Sequence, residues 1–174
     1  MVEKQPYRVE RSLGDSVEIR HYPAHRVISV DVHGGIEEAG TLGFRPLVGY
    51  ISGANASGQK IAMTAPVLQE EADDHYRVSF VLPTDWWDRE APAPLGDRVR
   101  VEDRPAGLFG AITFRGRWKE TTVREHESAL RRVLADNSIS VTGPALYARY
   151  DPPSVPGIFR RNEVLVPVSG EGQL

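Results

Sequence analysis

The sequence predicts an α+β fold: a distorted eight-stranded antiparallel β-barrel, or a nearly closed sheet, with two helices outside it. Two pseudo-twofold-related repeats would build it. Three observations lead there. Val17–Gly34 aligns with Val99–Gly116 without a gap at a constant offset of 82, matching Val17 to Val99, Pro23-Ala24 to Pro105-Ala106 and Gly34 to Gly116. In each copy two extended stretches precede a helical one and two more follow it, over about 17–83 and 99–168. Neither copy has strands enough to bury a helix by itself, whereas two copies joined through their sheets do. The expectation is therefore a single domain over 1–174, long enough to bury roughly 70% of its unfolded surface.

Each element has its own reason. Residues 1–16 mix charge and polarity and are predicted as a poorly ordered lead-in with a turn at Gly14-Asp15. Val17-Glu-Ile-Arg-His-Tyr22 alternates, with Val17, Ile19 and His21 on one face and Glu18, Arg20 and Tyr22 on the other. Pro23-Ala24-His25-Arg26 interrupts it, and Val27–Val32 resumes with Ile28, Val30 and Val32 on one face. These two strands are expected to pair antiparallel. Residues Ile36–Ile51 form a helix with Ile36, Gly40, Gly43, Phe44, Leu47, Val48 and Ile51 along a broad face. Its interior glycines each cost about 1 kcal/mol relative to Ala, and Pro46 predicts a kink or a restart. Either close packing on a sheet or room for a flat ligand explains the glycines.

Ser52–Gln59 is rich in turn formers. Ile61–Val67 is extended, with Pro66 at an edge or a strand end. Glu70-Glu-Ala-Asp-Asp74 is an acidic turn, and Tyr76–Leu82 alternates as a strand. Pro83–Asp97 is a proline-rich loop packed down by Trp86-Trp87. In the second copy Thr122-x-x-Glu125 has the form of a capping box, and Val123, Ala129, Leu130, Val133 and Leu134 give the apolar face of a helix ending near Asp136-Asn137. Ala145–Tyr150 is a strand, Asp151–Gly157 a loop, Glu163–Val168 the last strand and 169–174 a tail.

Composition excludes several kinds of function. There is no cysteine, so disulfides, thiolate metal sites and cysteine nucleophiles are ruled out. Lys and Arg number 21 against 24 Asp and Glu, and no basic run forms a stripe, so nucleic acid is not an expected partner. No stretch has the ~18 apolar residues of a membrane span. The first residues lack the apolar segment of a secretory signal, so a cytoplasmic location is expected. Gly53–Gly58 lacks the Lys-Ser/Thr of a phosphate loop, and neither a helical His pair nor a Gly-x-Ser-x-Gly elbow is present. No catalytic set emerges. Asp31 falls on a polar face and Glu163 within Arg161-Asn-Glu-Val164, so neither marks a buried carboxylate.

Five histidines remain. His33 and His75 sit beside turns and are expected in solvent. His25 lies in the strand link, and His126 off the apolar face of its helix. His21 shares a row with Val17 and Ile19 and is either a hydrogen-bonded core or rim residue or a ligand.

The order Leu47-Val-Gly-Tyr-Ile51, Ser52–Gln59, Lys60-Ile-Ala-Met-Thr-Ala-Pro-Val67, Tyr150-Asp-Pro-Pro153 and Arg161-Asn-Glu-Val164 resembles the SOUL/haem-binding protein family over roughly Val17 to Val168. The resemblance implies a barrel of two repeats that binds one haem or related tetrapyrrole non-covalently, as a carrier, buffer or sensor. In one branch of the family the position of His21 in Glu18-Ile-Arg-His-Tyr22 carries the axial iron ligand, which makes His21 the candidate metal ligand. Another branch holds haem in an apolar groove between the first helix and the loop after Tyr-Asp-Pro-Pro. The matching positions are Phe44 and Val48 on the helix, with Leu47 adjacent, and Val155 in the loop. Basic positions of that branch fall on Thr41, Gly49 and Val155 here, a departure that leaves Arg45, Lys60, Arg160 and Arg161 as substitutes for holding propionates. Two alternatives stay open. One is a haem-dependent or haem-degrading enzyme. The other is a small-molecule effector-binding module of the gyrase-inhibitor-like type, which takes amphipathic cations.

Overall fold

The computed structural model describes residues 1–170; the last four residues of the predicted tail lie outside them. Along the chain come β1 (Glu3–Lys4), β2 (Arg8–Ser12), β3 (Val17–Tyr22), β4 (His25–Val32), α1 (Ile36–Ile51), β5 (Thr64–Ala65), β6 (Val67–Ala72) and β7 (His75–Val81). Then follow β8 (Arg100–Arg104), β9 (Gly107–Arg115), α2 (Glu120–Asp136), β10 (Leu146–Arg149) and β11 (Arg161–Pro167). Short 3-10 turns cover Thr84–Trp86 and Gly157–Phe159. The class is α+β, with two helices on antiparallel strands that do not close into a barrel. Two compact units form among the described residues, one of residues 1–5 and 24–105, the other of 6–23 and 106–170.

The boundaries of these units show where the expected strand pairing fails. β3 does not pair with β4. It pairs with β9, the second copy's counterpart of β4, while β4 pairs with β8, the counterpart of β3. The two copies have exchanged their first strands. The links explain why. A two-residue hairpin needs positive φ in its turn, and the links Pro23-Ala24 and Pro105-Ala106 open with a proline fixed near −65°.

In the first unit the strand order is β6-β7-β4-β8, and β1 adds a parallel pair with β5. Helix α1 spans the predicted residues and buries Ile36, Ala39, Gly40, Gly43, Leu47, Tyr50 and Ile51. A Cβ on Gly43 would lie 2.5 Å from the Cβ of Val78 on β7. Close packing therefore explains this glycine. The helix runs unbroken through Pro46, because packing of its buried face outweighs one missing backbone bond. The acidic turn is shorter than expected: Glu70 and Glu71 belong to β6, and only Asp73-Asp74 turn the hairpin. The tryptophan loop packs as predicted. Trp86 is buried under the Arg89 guanidinium at 3.5 Å, and Trp87 Nε1 donates to the Leu82 carbonyl at 2.8 Å.

In the second unit the order is β2-β3-β9-β11-β10, with α2 packed on β9 and β11. The lead-in is more ordered than its composition predicts. Residues 8–12 are exposed and lack alternation, yet they form β2 because the edge of β3 supplies the bonding partners. Helix α2 starts at Glu120 with Lys119 as its cap, so Thr122 lies inside the first turn and no capping box forms. Val123, Leu130 and Leu134 are its buried face. His126 is also turned inward, stacked on Phe114 with centroids 4.0 Å apart, contrary to its predicted position.

Candidate ligand-binding site

Strand β3 separates two environments by simple alternation. Arg20 and Tyr22 point to the face without a helix, where Glu163 of β11 also points. Val17, Ile19 and His21 point to the face covered by α2. The register fixes this: Ile19 is opposite Gly110, and a Cβ on Gly110 would meet Leu134 of α2 at 2.9 Å.

The first face holds a charged network around a carboxylate that the sequence reading did not mark as buried. Arg20 is 2% exposed and Glu163 is fully buried. Arg20 Nη1 and Nη2 donate to the two Glu163 oxygens at 2.9 and 2.6 Å, a bidentate pair. Its Nε donates to Glu18 at 2.8 Å and Nη1 to the Tyr22 hydroxyl at 3.0 Å. The guanidinium lies 4.0 Å above the Tyr7 ring. Glu163 also accepts from Thr113 Oγ1 at 2.7 Å and Arg161 Nη2 at 3.1 Å. Burial alone pushes the Glu163 carboxyl up, but the bonds and charge of Arg20 outweigh it and hold the group at about 2. Burial pushes the Tyr22 and Tyr150 hydroxyls well above their ordinary value, so both stay protonated. The expectation of no buried carboxylate is thus corrected. Asn162–Val166 is an unbroken buried run, which gives Glu163 no route to solvent, and nothing in the residue types of Arg161-Asn-Glu-Val164 marks that burial.

The second face holds His21. The side chain is half-buried in the wall of a pocket of about 400 Å³ lined by Ile19, Leu108, Ile139 and Val168, with Glu10, Arg11 and Ser169 completing the lining. Imidazole, apolar walls and one lining cation are the donor set that an iron tetrapyrrole with carboxylate side chains requires. The lining is compatible with such a group: His21 would be the residue to hold a metal and the four aliphatic side chains would face the ring, with Arg11 the cation of the lining.

The remaining predicted positions fall elsewhere. On α1, Leu47 is fully buried core, Val48 is half-buried, and Phe44 is 44% exposed with its ring 5.5 Å from Phe80. Arg45 and Lys60 are exposed in the same unit. Val155 and Arg160 belong to the loop between β10 and β11, where Arg160 Nε and Nη2 hold the carbonyls of Val155 and Pro153 at 2.8 Å each. His21 is opposite Leu108 and Arg161 opposite Arg115, so His21 and this loop stand at opposite ends of β9, about 24 Å apart at ~3.4 Å per residue. One small ring does not reach both. His33 is exposed as expected, whereas His75 is partly buried, with Nε2 3.5 Å from Asp31. His25 begins β4 rather than lying in the link, and tilts against Trp87 at 6.1 Å.

A model of the family described as SOUL heme-binding protein matches residues 2–167. Heme-binding protein 1 of Mus musculus is 29% identical over 137 residues, covering 74% of this chain and 71% of its own length. Heme-binding protein 2 of Homo sapiens is 29% identical over 158 residues, covering 86% and 76%. Among solved structures, the EcmrR C-terminal domain superposes with a TM-score of 0.66 at 13% identity, covering 94% of this chain and 98% of that one. The structure of SAV2435 bound to tetraphenylphosphonium superposes at 0.52 with 10% identity, covering 90% and 95%. At such identities the structural matches establish the fold alone.

Proposed function

The chain belongs to the SOUL heme-binding protein family, and from that premise we propose that it binds one tetrapyrrole non-covalently, with the His21 imidazole as axial ligand of the iron. The observation that carries this reading is the imidazole of His21 in the wall of an otherwise largely aliphatic pocket. The relatives named Heme-binding protein 1 and 2 favour the same ligand class. Bound iron would supply the ligand-exchange and redox chemistry. The chain itself supplies a nitrogen donor on a strand, apolar walls against the ring, and Arg11 toward a carboxylate. With no catalytic set proposed, the role is that of a cytoplasmic carrier, buffer or sensor.

A second reading has one observation in its favour. Glu163 is a buried carboxylate beside aromatic rings, and the like-folded SAV2435 is bound to an organic cation. The bidentate hold of Arg20 weighs against it, since an internal guanidinium already fills the position an external cation would take.

A hemin titration of the apoprotein, followed by absorbance, tests the proposal on wild type, His21→Ala and Phe44→Ser. Expected is a Soret band saturating at one haem per chain, shifted in His21→Ala and unchanged in Phe44→Ser. An effect of Phe44→Ser without one of His21→Ala moves the ring to α1. No saturation at micromolar haem, a threshold near −8 kcal/mol, overturns the proposal.

A further inference from the structure

We propose that the tip of the loop between β10 and β11 docks on the surface of an anionic lipid bilayer. Ile158 and Phe159 are adjacent on the 3-10 turn and are 65% and 60% exposed. Large apolar side chains in that position gain nothing from folding; they gain from leaving water for another phase.

The surroundings of the tip identify the phase. Arg115 Nη1 donates to the Phe159 carbonyl at 2.9 Å. The side chain of Arg117 lies so close over Gly157 that a Cβ there would be 2.6 Å from its Cγ. Arg160 grips the loop carbonyls of Pro153 and Val155. Arg149 lies 5.2 Å from the Trp118 ring, and burial together with the charge of Arg160 lowers its proton affinity. Among the described residues none of these four arginines has a carboxylate partner. The whole chain carries a net charge of −3, so these guanidinium groups at one loop, with Arg115 and Arg117 exposed and Arg149 and Arg160 half-buried, are a local concentration of positive charge.

An apolar tip inside a basic collar matches the layering of a membrane interface. The two apolar side chains reach the acyl boundary while the exposed guanidinium groups of Arg115 and Arg117 meet lipid phosphates. Two side chains on a short turn offer far less area than a stable protein interface buries, so a bilayer suits the feature better than a protein partner.

The inference is independent of tetrapyrrole binding and is tested on the full-length apoprotein by vesicle sedimentation. The probes are phosphatidylcholine vesicles with and without about one-third phosphatidylserine. Expected is binding to the anionic vesicles alone, falling roughly fivefold for each of Arg115→Ala and Arg117→Ala. The double variant Ile158→Ser/Phe159→Ser should lose more than about tenfold. Leu95→Ser removes a comparably exposed apolar side chain in the other unit and should leave binding unchanged. Circular dichroism checks that each variant is folded. Failure to sediment with anionic vesicles, equal binding to both vesicle types, or full binding by the Ile158→Ser/Phe159→Ser variant overturns the proposal.

Discussion

Substituting Glu163 by Gln removes a fully buried negative charge from the second unit. In the wild type the carboxyl titrates at about 2 instead of 4.5. Each unit of that difference is worth about 1.4 kcal/mol, so the network contributes about 3 kcal/mol at neutral pH. The size agrees with the ~3–5 kcal/mol lost when one partner of a buried ion pair is removed. The sign follows from linkage. The folded carboxyl is the more acidic, so its contribution is complete above the ordinary carboxylate value and is lost as pH falls from about 4.5 to about 2. Glu163→Gln lacks the contribution at every pH. Urea denaturation followed by tryptophan fluorescence should show a gap of about 3 kcal/mol at neutral pH that closes toward pH 2. Other carboxylates titrate in both proteins and largely cancel in the difference. A gap independent of pH, or none at neutral pH, would refute the ion-pair account of this face.

Three other substitutions probe separate parts of the structure. Gly43→Ala places a methyl group where Val78 stands and should cost about 1–3 kcal/mol through overpacking, seen as a lowered melting temperature; an unchanged one would mean α1 is not seated on β7 as described. Asp31→Asn breaks pairs with Arg77 and Arg100, both at 3.0 Å on a solvent-facing side of β4, and should cost less than about 1 kcal/mol, less still at about 1 M salt. The double substitution Arg20→Met/Glu163→Leu should restore stability to the wild-type level or above, while either single change destabilises; a double-mutant cycle by chemical denaturation reads this directly.

The elements were largely legible in the sequence, and their partners were not. Alternation marks Val17–Tyr22 and Tyr76–Leu82 because each has a row of side chains that must leave water. The limits of α1 were legible despite its three glycines, since Ile36, Leu47 and Ile51 keep helical spacing. Strand β2 was not legible, because its five residues are exposed and its only reason to be extended is the edge of β3. The pairing of β3 was hidden for a related reason. Repeats show which stretches are equivalent, and two equivalent strands can serve either copy equally well. At the site, His21 stood out as a polar residue in an apolar row. Arg20 and Glu163 did not, because a charged residue looks the same in sequence whether it faces water or an opposite charge.

These two faces of β3 bear jointly on which ligand the chain takes. Arg20 uses its donors on Glu18, Tyr22 and both oxygens of Glu163, so the strand carrying His21 is tied to β11 from behind as well as by its ladder to β9. If His21 holds a metal as proposed, a donor presented from such a strand would need little ordering when the ligand arrives. The same bonds settle the character of the opposite face. Arg20 and Arg161 together bring two positive charges to the single charge of Glu163, and Glu18 adds a half-exposed fourth group. An organic cation entering there would have to displace a bidentate guanidinium and leave it buried without its partner, a loss of several kcal/mol. Sharing a fold with cation-bound SAV2435 does not offset that cost, because a fold carries no site of its own. The neutralised face of β3 serves as the anchor, and the face with His21 is the one on which the proposed tetrapyrrole would sit.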